Sequence, residues 1–593
     1  MAIRWVAFCC LNFERTLKAD GNLPGMPAIA FDRYYRFDEL TELLHAFVRE
    51  YPNLVELESI GKSHEGRDIW LVTVTNKHTG RHADKPAFGC DGTIHASEVS
   101  ASTSVLYILN KLVTAYGQDE KITRAVDTRA FYLVPRLGPD GAEWALADNP
   151  KIIRSSTRPY PYDEEDHYGL ELQDVDGDGR VLSMRIKDSN GPWKISSVEP
   201  RLLELREPDE VGGIYYRVVP EGLFHNFDGL TMRGQKKKEG LDMNRNFPSA
   251  WRLEGEQFGA GPFPTSEPEI YAAVSAICSR PNICGAVTFH TFSGVHLRPS
   301  ARTSDDELPP EDVWTFKKIG EVAERITGYP AISNYHEFRY HPKEVITGAF
   351  DDWMYYHRGV YSWTTEIWSP QREAGITDYK YIDWFRDHPF SDDVKMLAWS
   401  DSTLEGKGYI EWYPFTHPQL GEVEIGGWDS MYAFRNPPLQ FLEKEIAPFA
   451  EWVVWQALSS PKLELRQTQV VAAGDGVWRI RVAVQNTGWL PTNVTKTALA
   501  NKLCRGVVGE ISLEGFSGSS LGSAEPSWLV SGALRQVKEQ LAGWDRVAVG
   551  GFGWHMDATD DVAVFEWVVS QAGAYSVEMH HERAGRVNVT ITV

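Results

Sequence analysis

The hydrophobic pattern of this chain changes period once, near Pro461, and this change constrains the fold more than any other feature of the sequence. Strand-like and helix-like segments alternate before it, whereas short strand-like segments separated by Gly or Asn follow it. The first pattern is typical of an α/β domain with an internal sheet, and the second of a β-sandwich. We therefore expect two units, residues 31–460 and 461–593, preceded by an N-terminal arm at 1–30.

Periodicity in the first unit predicts its main elements. Residues 55–60 and 68–75 are expected to form a hairpin. Further strands are expected at 86–94, 130–134, 286–290 and 360–367. Helices are expected at 37–51, 97–114, 267–279 and 439–458. Between about 149 and 239 the periodicity is weak, and Pro, Asp and Gly are frequent. That stretch predicts an insertion that forms a functional rim or an extra subdomain.

Charge and composition exclude several classes of protein. The chain has 60 Lys and Arg against 82 Asp and Glu, a net charge of -22, which argues against a nucleic-acid partner. Its six cysteines are too few and too irregular for a disulfide framework. Because no apolar run reaches the ~20 residues that a membrane helix needs, we expect no membrane partner and a soluble, cytoplasmic protein.

One pattern in the first unit is typical of a metal site. A strand that ends at His95 leads into Glu98, so an imidazole and a carboxylate lie three residues apart where the chain turns from strand to helix. Catalytic zinc commonly has three protein ligands with nitrogen or oxygen donors. His290, at the end of another apolar strand, is well placed to be the third ligand. A single His-x-x-Glu is weak, because it also occurs by chance at solvated helix starts.

Four further segments resemble the zinc carboxypeptidases, the M14 peptidase family. Residues 240–248 (GLDMNRNFP) resemble the family's Asp-x-Asn-Arg-Asn-Phe/Trp signature, and 361–366 (YSWTTE) its strand ending in the catalytic Glu. Residues 134–141 (VPRLGPDG) are similar to its Pro-x-x-Asn-Pro-Asp-Gly turn with Gly for Asn, and 261–269 (GPFPTSEPE) to its Gly-x-x-Pro-x-Ser-Glu-Pro-Glu segment. This resemblance, in the family's order over residues 31–370, implies a three-layer α/β/α domain with a central mixed sheet.

The resemblance also implies the roles of the central residues. His95, Glu98 and His290 would bind Zn²⁺, and Asp242 would accept the second ring N–H of His95 and so fix its tautomer. Glu366 would take a proton from water as general base and deliver it to the leaving amine. These roles describe a zinc metallopeptidase.

Substrate contacts follow from the same resemblance. Asn244 and Arg245 would bind the terminal carboxylate of a peptide substrate. Arg154 would stabilise the negative charge that develops on the scissile carbonyl, with Arg158 as the alternative. Tyr340 is nearest in position to the family's mobile Tyr, although a packing aromatic is an equally good interpretation.

The sequence departs from the family pattern at two places. Ser97 stands inside His-x-x-Glu where pancreatic-type members carry Arg, which puts one contact with the substrate backbone in doubt. The specificity pocket falls within residues 348–353, one residue longer than the family pattern. If Asp351 lines this pocket, a C-terminal Lys or Arg would be preferred; if Phe350 does, an apolar residue would be.

An Asp-rich segment inside the insertion resembles the start of a calcium loop. Asp174, Asp176 and Asp178 alternate and supply the oxygen ligands that Ca²⁺ prefers. Position twelve of such a loop is Arg185 instead of Glu, so an ordinary Asp/Gly turn is the alternative. Carboxylates that might complete the site from outside are Glu164, Glu165 and Asp166.

The sequence thus predicts a metallocarboxypeptidase that hydrolyses the C-terminal peptide or isopeptide bond of a peptide with a free carboxylate. Zn²⁺ is the expected cofactor, with Ca²⁺ as a second possibility. Two alternatives are open: a related zinc amidase that acts on side-chain-linked or cell-wall peptides, and a zinc-containing binding protein without turnover. The tail is interpreted as an adhesion module or a stabilising lid, and its sequence favours neither.

Overall fold

The structure is a computed structural model that describes residues 29–161, 168–234, 238–341, 343–515, 526–545 and 559–593. Nearly all of the predicted N-terminal arm, and the carboxylates at 164–166 proposed to complete a calcium site, lie outside these residues. No helix in the described ranges is both long enough and apolar enough to cross a bilayer.

The strands before residue 461 form a central sheet and two smaller sheets. They are β1 (Val55–Lys62), β2 (Asp68–Val74), β3 (Ala87–Gly92), β4 (Ala130–Val134), β5 (Gly169–Leu172), β6 (Ser183–Lys187), β7 (Trp193–Ile195), β8 (Leu203–Leu205), β9 (Tyr216–Pro220), β10 (Gly222–His225), β11 (Ile283–Thr291), β12 (Val295–Arg298), β13 (Ala331–Ser333), β14 (Tyr361–Ile367), β15 (Tyr409–His417) and β16 (Gly421–Trp428).

The central sheet has eight strands in the order β1-β2-β4-β3-β11-β14-β12-β13. Strands β4, β3, β11 and β14 run parallel to one another, and β12 and β13 also pair parallel, whereas the pairs β1–β2, β2–β4 and β14–β12 are antiparallel. All residues of β4 and β11 are buried, as expected for parallel strands covered on both faces. The mixed sheet confirms the predicted α/β fold class.

Helices flank this sheet. Two of them, Val99–Thr114 and Leu439–Ser459, pack against each other and against β3 and β11, and Pro310–Thr327 packs against Leu439–Ser459, β12 and β13. They are α1 (Phe37–Glu50), α2 (Val99–Thr114), α3 (Glu120–Thr128), α4 (Pro139–Ala145), α5 (Pro268–Cys278), α6 (Pro310–Thr327), α7 (Asn334–Glu337), α8 (Phe350–Trp353), α9 (Pro370–Glu373), α10 (Tyr381–Arg386), α11 (Phe390–Thr403) and α12 (Leu439–Ser459).

The insertion predicted at 149–239 contains regular structure that its weak periodicity did not reveal. Strands β6, β9, β7 and β8 form an antiparallel sheet with the later hairpin β15–β16, and β5 pairs with β10. The insertion strands are three to five residues long, too short for a period of two to stand out. Met184 and Ile425 lie in a small apolar core that the insertion shares with the hairpin.

The tail consists of two four-stranded sheets, β17-β18-β22-β20 and β21-β19-β23-β24 in the order given by their pairing. Phe565, Trp567 and Tyr575 are fully buried in the core that the two sheets share, which confirms the predicted β-sandwich. Its elements are β17 (Leu463–Gly474), β18 (Val477–Asn486), α13 (Lys496–Ala500), β19 (Val508–Leu513), β20 (Leu529–Ser531), β21 (Arg535–Val537), β22 (Val562–Val569), β23 (Ala574–His581) and β24 (Gly585–Thr592).

Buried polar contacts join the tail to the first unit. The fully buried carboxylate of Asp312 on α6 accepts hydrogen bonds from Lys496 N at 2.7 Å and Thr497 N at 3.0 Å, at the start of α13. From the tail, the buried Arg583 guanidinium donates to the carbonyl of Gly359 at 3.1 Å. Gly359 has φ 63°, and a Cβ there would lie 2.5 Å from Ala498 Cβ, so this contact requires glycine.

Removal of the Asp312 carboxylate is expected to lower the stability of the protein. Asp312→Ala leaves at least two buried N–H groups without an acceptor, so we expect a loss of about 2–5 kcal/mol of unfolding free energy, measured as a lower Tm by calorimetry. Asp306→Ala, an exposed position nearby, is the control and is expected to leave Tm nearly unchanged. An Asp312→Ala protein as stable as the parent would show that the interface contributes little.

Candidate metal centre

The turn between β3 and α2 carries two of the predicted ligands. His95 is 3% exposed and Glu98 1%, and His95 Nδ1 lies 2.9 Å from Glu98 Oε1. The turn is tight because Gly92, the last residue of β3, lies against α2: a Cβ at Gly92 would be 2.5 Å from the carbonyl oxygen of Ala101. Strand end and helix start are thereby held together, and both side chains point to one place.

The third predicted ligand comes from the neighbouring strand. His290 Nδ1, on β11, lies 3.0 Å from His95 Nδ1 and 2.9 Å from Glu98 Oε2. Donor atoms of these three residues all lie within 4.8 Å of one another. Two imidazole nitrogens that face each other beside a carboxylate are the donor set of a catalytic zinc site, so the residues present fit a zinc ion.

Asp242 orients the first histidine and is surrounded by positively charged side chains. Its Oδ1 accepts from His95 Nε2 at 3.0 Å, which leaves His95 Nδ1 directed at the cluster, and its Oδ2 accepts from Arg154 Nε at 3.1 Å. Burial acts to raise the pKa of Asp242, but the charges of Arg154, Arg245 and His95 outweigh burial and hold that pKa well below its usual range. Asp242 is therefore an anion that fixes the His95 ring.

The second histidine has a partner that the sequence did not reveal. His290 Nε2 lies 3.3 Å from Thr288 Oγ1, and that hydroxyl donates to Asp91 Oδ1 at 2.8 Å. Burial raises the pKa of Asp91 to about 7. Thr288 and His290 share a face of β11 because they are two residues apart, and Thr288 pairs with Asp91 across the sheet. Only the strand register could have identified this chain of hydrogen bonds.

Glu366 lies beside the cluster because strands β11 and β14 are in register. It pairs with His290 across the parallel ladder. Its Oε2 is buried and lacks a hydrogen-bond partner among the described residues. Burial and the nearby charge of Glu98 raise the pKa of Glu366 well above its usual range. A buried carboxylate oxygen without a partner is available to a ligand or to water.

The predicted carboxylate-binding residues follow Asp242 directly, in the helical turn Met243–Arg245. Asn244 Oδ1 accepts from Phe350 N at 2.8 Å, and Arg245 donates to the carbonyl of Asn244 at 2.8 Å. Both residues are less than one tenth exposed. Tyr340 is half exposed, and its phenol feels the charges of Arg154 and Arg245, so the structure places it at the rim of the site.

The two candidates for the specificity pocket point in different directions. Phe350 packs in the core against Phe247 and Trp353. The carboxylate of Asp351 accepts from Asn334 Nδ2 at 2.7 Å and feels the charge of Arg245, while burial raises its pKa. Phe350 thus packs in the apolar core, whereas the Asp351 carboxylate lies in the field of Arg245.

Three arginines in this part of the structure make different contacts. Arg154 lies 3.3 Å from Glu98 Oε1 through its NH1. Arg158, the alternative to Arg154, instead pairs with Glu267 at 2.6 Å and packs over Tyr160. Arg435, which the sequence did not single out, approaches Glu98 Oε1 to 4.0 Å; no motif surrounds it, so no sequence signal identified it.

The Asp-rich loop has a different geometry from the predicted one. Asp174 and Asp176 lie near Glu221, whereas Asp178 pairs with Arg180 at 2.8 Å. Both Asp174 oxygens accept backbone N–H groups, from Gly177 and Gly179 at 2.6 and 2.7 Å, as in an ordinary Asp/Gly turn. Asp178 therefore does not join the group, and calcium receives no support.

Comparisons with known proteins give a family and several relatives. A family model described as zinc carboxypeptidase matches residues 40–172 and 220–384, about half of the chain, and one described as a domain of unknown function matches 462–592. A "Zinc carboxypeptidase" of Saccharothrix mutabilis subsp. capreolus is 32% identical over 19% of this chain and 26% of that protein. "Carboxypeptidase B" of Astacus astacus is 34% identical over 20% and 36%.

Among solved structures, carboxypeptidase A from Helicoverpa armigera matches 64% of this chain and 76% of its own at 16% identity, with a TM-score of 0.37. The chain spans about a quarter to a third of the length of the two curated relatives named above. The family model, however, covers the strands and turns that carry the His95, Glu98, His290 and Glu366 side chains. This chain belongs to the zinc carboxypeptidase family, the M14 peptidases.

Proposed function

We propose that this protein is a zinc-dependent carboxypeptidase that hydrolyses the last peptide bond of a peptide with a free terminal carboxylate. One observation carries the proposal: the His95, Glu98 and His290 donors converge beside a buried Glu366 oxygen that has no partner among the described residues. A metal-ligand cluster next to an available carboxylate supports hydrolysis by general base catalysis.

The residues have separate parts in the proposed reaction. Zinc, when bound by His95, Glu98 and His290, supplies Lewis acidity for polarising a carbonyl and lowering the pKa of water. Glu366 Oε2 accepts the proton of the attacking water and then delivers it to the leaving nitrogen. Arg154, held by Asp242 at 3.1 Å, donates to the carbonyl oxygen as it becomes negative.

The substrate's terminal carboxylate is expected to bind at the turn that follows Asp242. Arg245 is buried, and its closest described carboxylate is Asp242 at 3.9 Å. The remaining guanidinium N–H groups can bind a planar carboxylate in bidentate fashion. Asn244 adds an amide N–H, because its Oδ1 is occupied by Phe350 N. This arrangement favours an exopeptidase over an endopeptidase.

The side-chain preference follows from Asp351. It is 1% exposed, and no Lys or Arg pairs with its carboxylate within 4 Å in the described part of the chain. A buried carboxylate without a cation is costly, and a cationic side chain from the substrate removes that cost. We therefore propose substrates that end in Lys or Arg.

The metal site can be tested by composition alone. His95→Ala and His290→Ala each remove one of three donors, so we expect the bound zinc, about one ion per chain in the parent, to fall to background after dialysis. Elemental analysis measures the content. His78→Ala, an exposed histidine outside the cluster, should keep the full content, and unchanged zinc in both cluster variants would refute the ligand assignment.

Glu366→Gln separates turnover from binding. The amide keeps the shape but removes the basic oxygen, so kcat is expected to fall by ~10² to 10⁴ while KM changes little. Steady-state kinetics on a peptide series and elemental analysis check both parts, with the exposed Glu405→Gln as control. Near-parent kcat in Glu366→Gln would mean that another group activates the water. If the parent itself has no turnover, the protein is the zinc-containing binding protein of the second alternative.

The proposed role of Asp351 predicts a preference for C-terminal Lys that Asp351→Asn should remove. The parent is expected to cleave C-terminal Lys over Leu by at least about tenfold in kcat/KM, and Asp351→Asn should lose most of that ratio because the charge is gone. Asp352→Asn is a matched control, since its equally buried carboxylate accepts instead from Ala301 N at 3.0 Å. A ratio that survives in Asp351→Asn excludes this pocket assignment. Equal cleavage of free and amidated peptides by the parent would favour an endopeptidase or a side-chain amidase.

A further inference from the structure

The geometry points to Arg435 as a further substrate-binding residue, one that donates to the main-chain carbonyl of the peptide group that precedes the scissile one. This inference rests on the proposed function. Three observations carry it. The chain fixes Arg435 beside the ligand cluster, the guanidinium has no hydrogen-bond partner among the described residues, and Arg435 belongs to a series of alternating charges.

Arg435 is held at the cluster by its neighbour. Asn436 is fully buried, and its Nδ2 donates to the carbonyl of Ser97 at 2.8 Å, inside the His-x-x-Glu turn. Its Oδ1 accepts from Ser100 N at 3.0 Å, in the first turn of α2. These bonds fix the residue after Arg435 to the helix start that presents Glu98. The segment that ends at Arg435 is thus fastened next to the position where Ser97 carries only a short side chain.

Few acceptors or negative charges among the described residues lie near the guanidinium of Arg435. It makes no hydrogen bond to the residues that the structure describes, and its closest carboxylate there is Glu98, at 4.0 Å. Glu98 is itself a candidate metal ligand. By contrast, the Arg154 guanidinium is bound by Asp242 at 3.1 Å. The Arg435 side chain is only 35% exposed, and burial lowers its pKa. A half-buried cation of this kind is stabilised by an acceptor that a ligand brings.

The order of charges shows which part of the substrate meets Arg435. Arg245 lies 3.9 Å from Asp242, Asp242 lies 3.1 Å from Arg154, and Arg154 lies 3.3 Å from Glu98. Arg435 follows at 4.0 Å from Glu98, at the opposite end of this row from Arg245. With the terminal carboxylate on Arg245 and the scissile carbonyl near Arg154, the preceding part of the peptide lies toward Arg435. The acceptor available there on every peptide is a main-chain carbonyl.

The test uses two ligands that differ at that carbonyl. N-acetylglycyl-lysine and pentanoyl-lysine have acyl groups of equal chain length and the same scissile carbonyl, but only the first has a second carbonyl, that of the acetyl group, in the preceding peptide group. Calorimetric titration of the zinc-loaded Glu366→Gln protein gives Kd for both, and parent kinetics give kcat/KM. We expect the acetylglycyl ligand to bind about tenfold tighter, as for one hydrogen bond from a charged donor, and Arg435→Met to abolish that ratio.

Two further variants keep the result interpretable. Arg435→Lys retains a cation and should retain part of the ratio, whereas Arg535→Met removes a comparably exposed arginine of the tail, paired with Glu510, and should retain all of it. Zinc content and Tm of each variant report folding. An undiminished ratio in Arg435→Met overturns the inference and leaves the proposed function standing. If the parent neither binds nor cleaves either ligand, the proposed function fails, and this inference with it.

Discussion

The parallel pairing of β3, β11 and β14 is the constraint on which the candidate site depends. Parallel strands end at the same edge of a sheet, so residues distant in sequence meet there. His95 follows β3, His290 lies near the end of β11, and Glu366 lies opposite His290 on β14. A shift of one residue in either pairing would turn a side chain to the other face of the sheet.

Charge balance is the second condition of the site. Asp242 is buried yet anionic because Arg154, Arg245 and His95 surround it. Removing any one partner would leave charge in a region from which water is largely excluded, where unpaired charge is costly. The charged residues of the site therefore depend on one another, and each arginine is positioned by a carboxylate or by backbone contacts of its neighbours. Reaction chemistry can use such a set because its dipoles need little rearrangement.

Much of the fold was predictable from the sequence because long, periodic or fully apolar segments specify their own structure. Residues 130–134 form β4 with the predicted bounds. The short strands β5–β10 were not predictable, since three to five residues do not establish a period. At the site, contiguous motifs singled out Glu98 and Arg245. Thr288, Asp91 and Arg435 were not found, because they join the site only through strand register or tertiary contact.

The contact between Arg583 and Gly359 has a consequence for how the two units behave together. Gly359 lies just before β14, whose other end carries Glu366. A tail residue is thus bound to the first turn of backbone leading into the strand that bears the proposed base. Local opening of the tail would expose these buried polar groups and loosen β14 from its start. We therefore expect the sandwich and the central sheet to open together, so that fluctuations of an apparently separate module reach the candidate metal centre along a single strand.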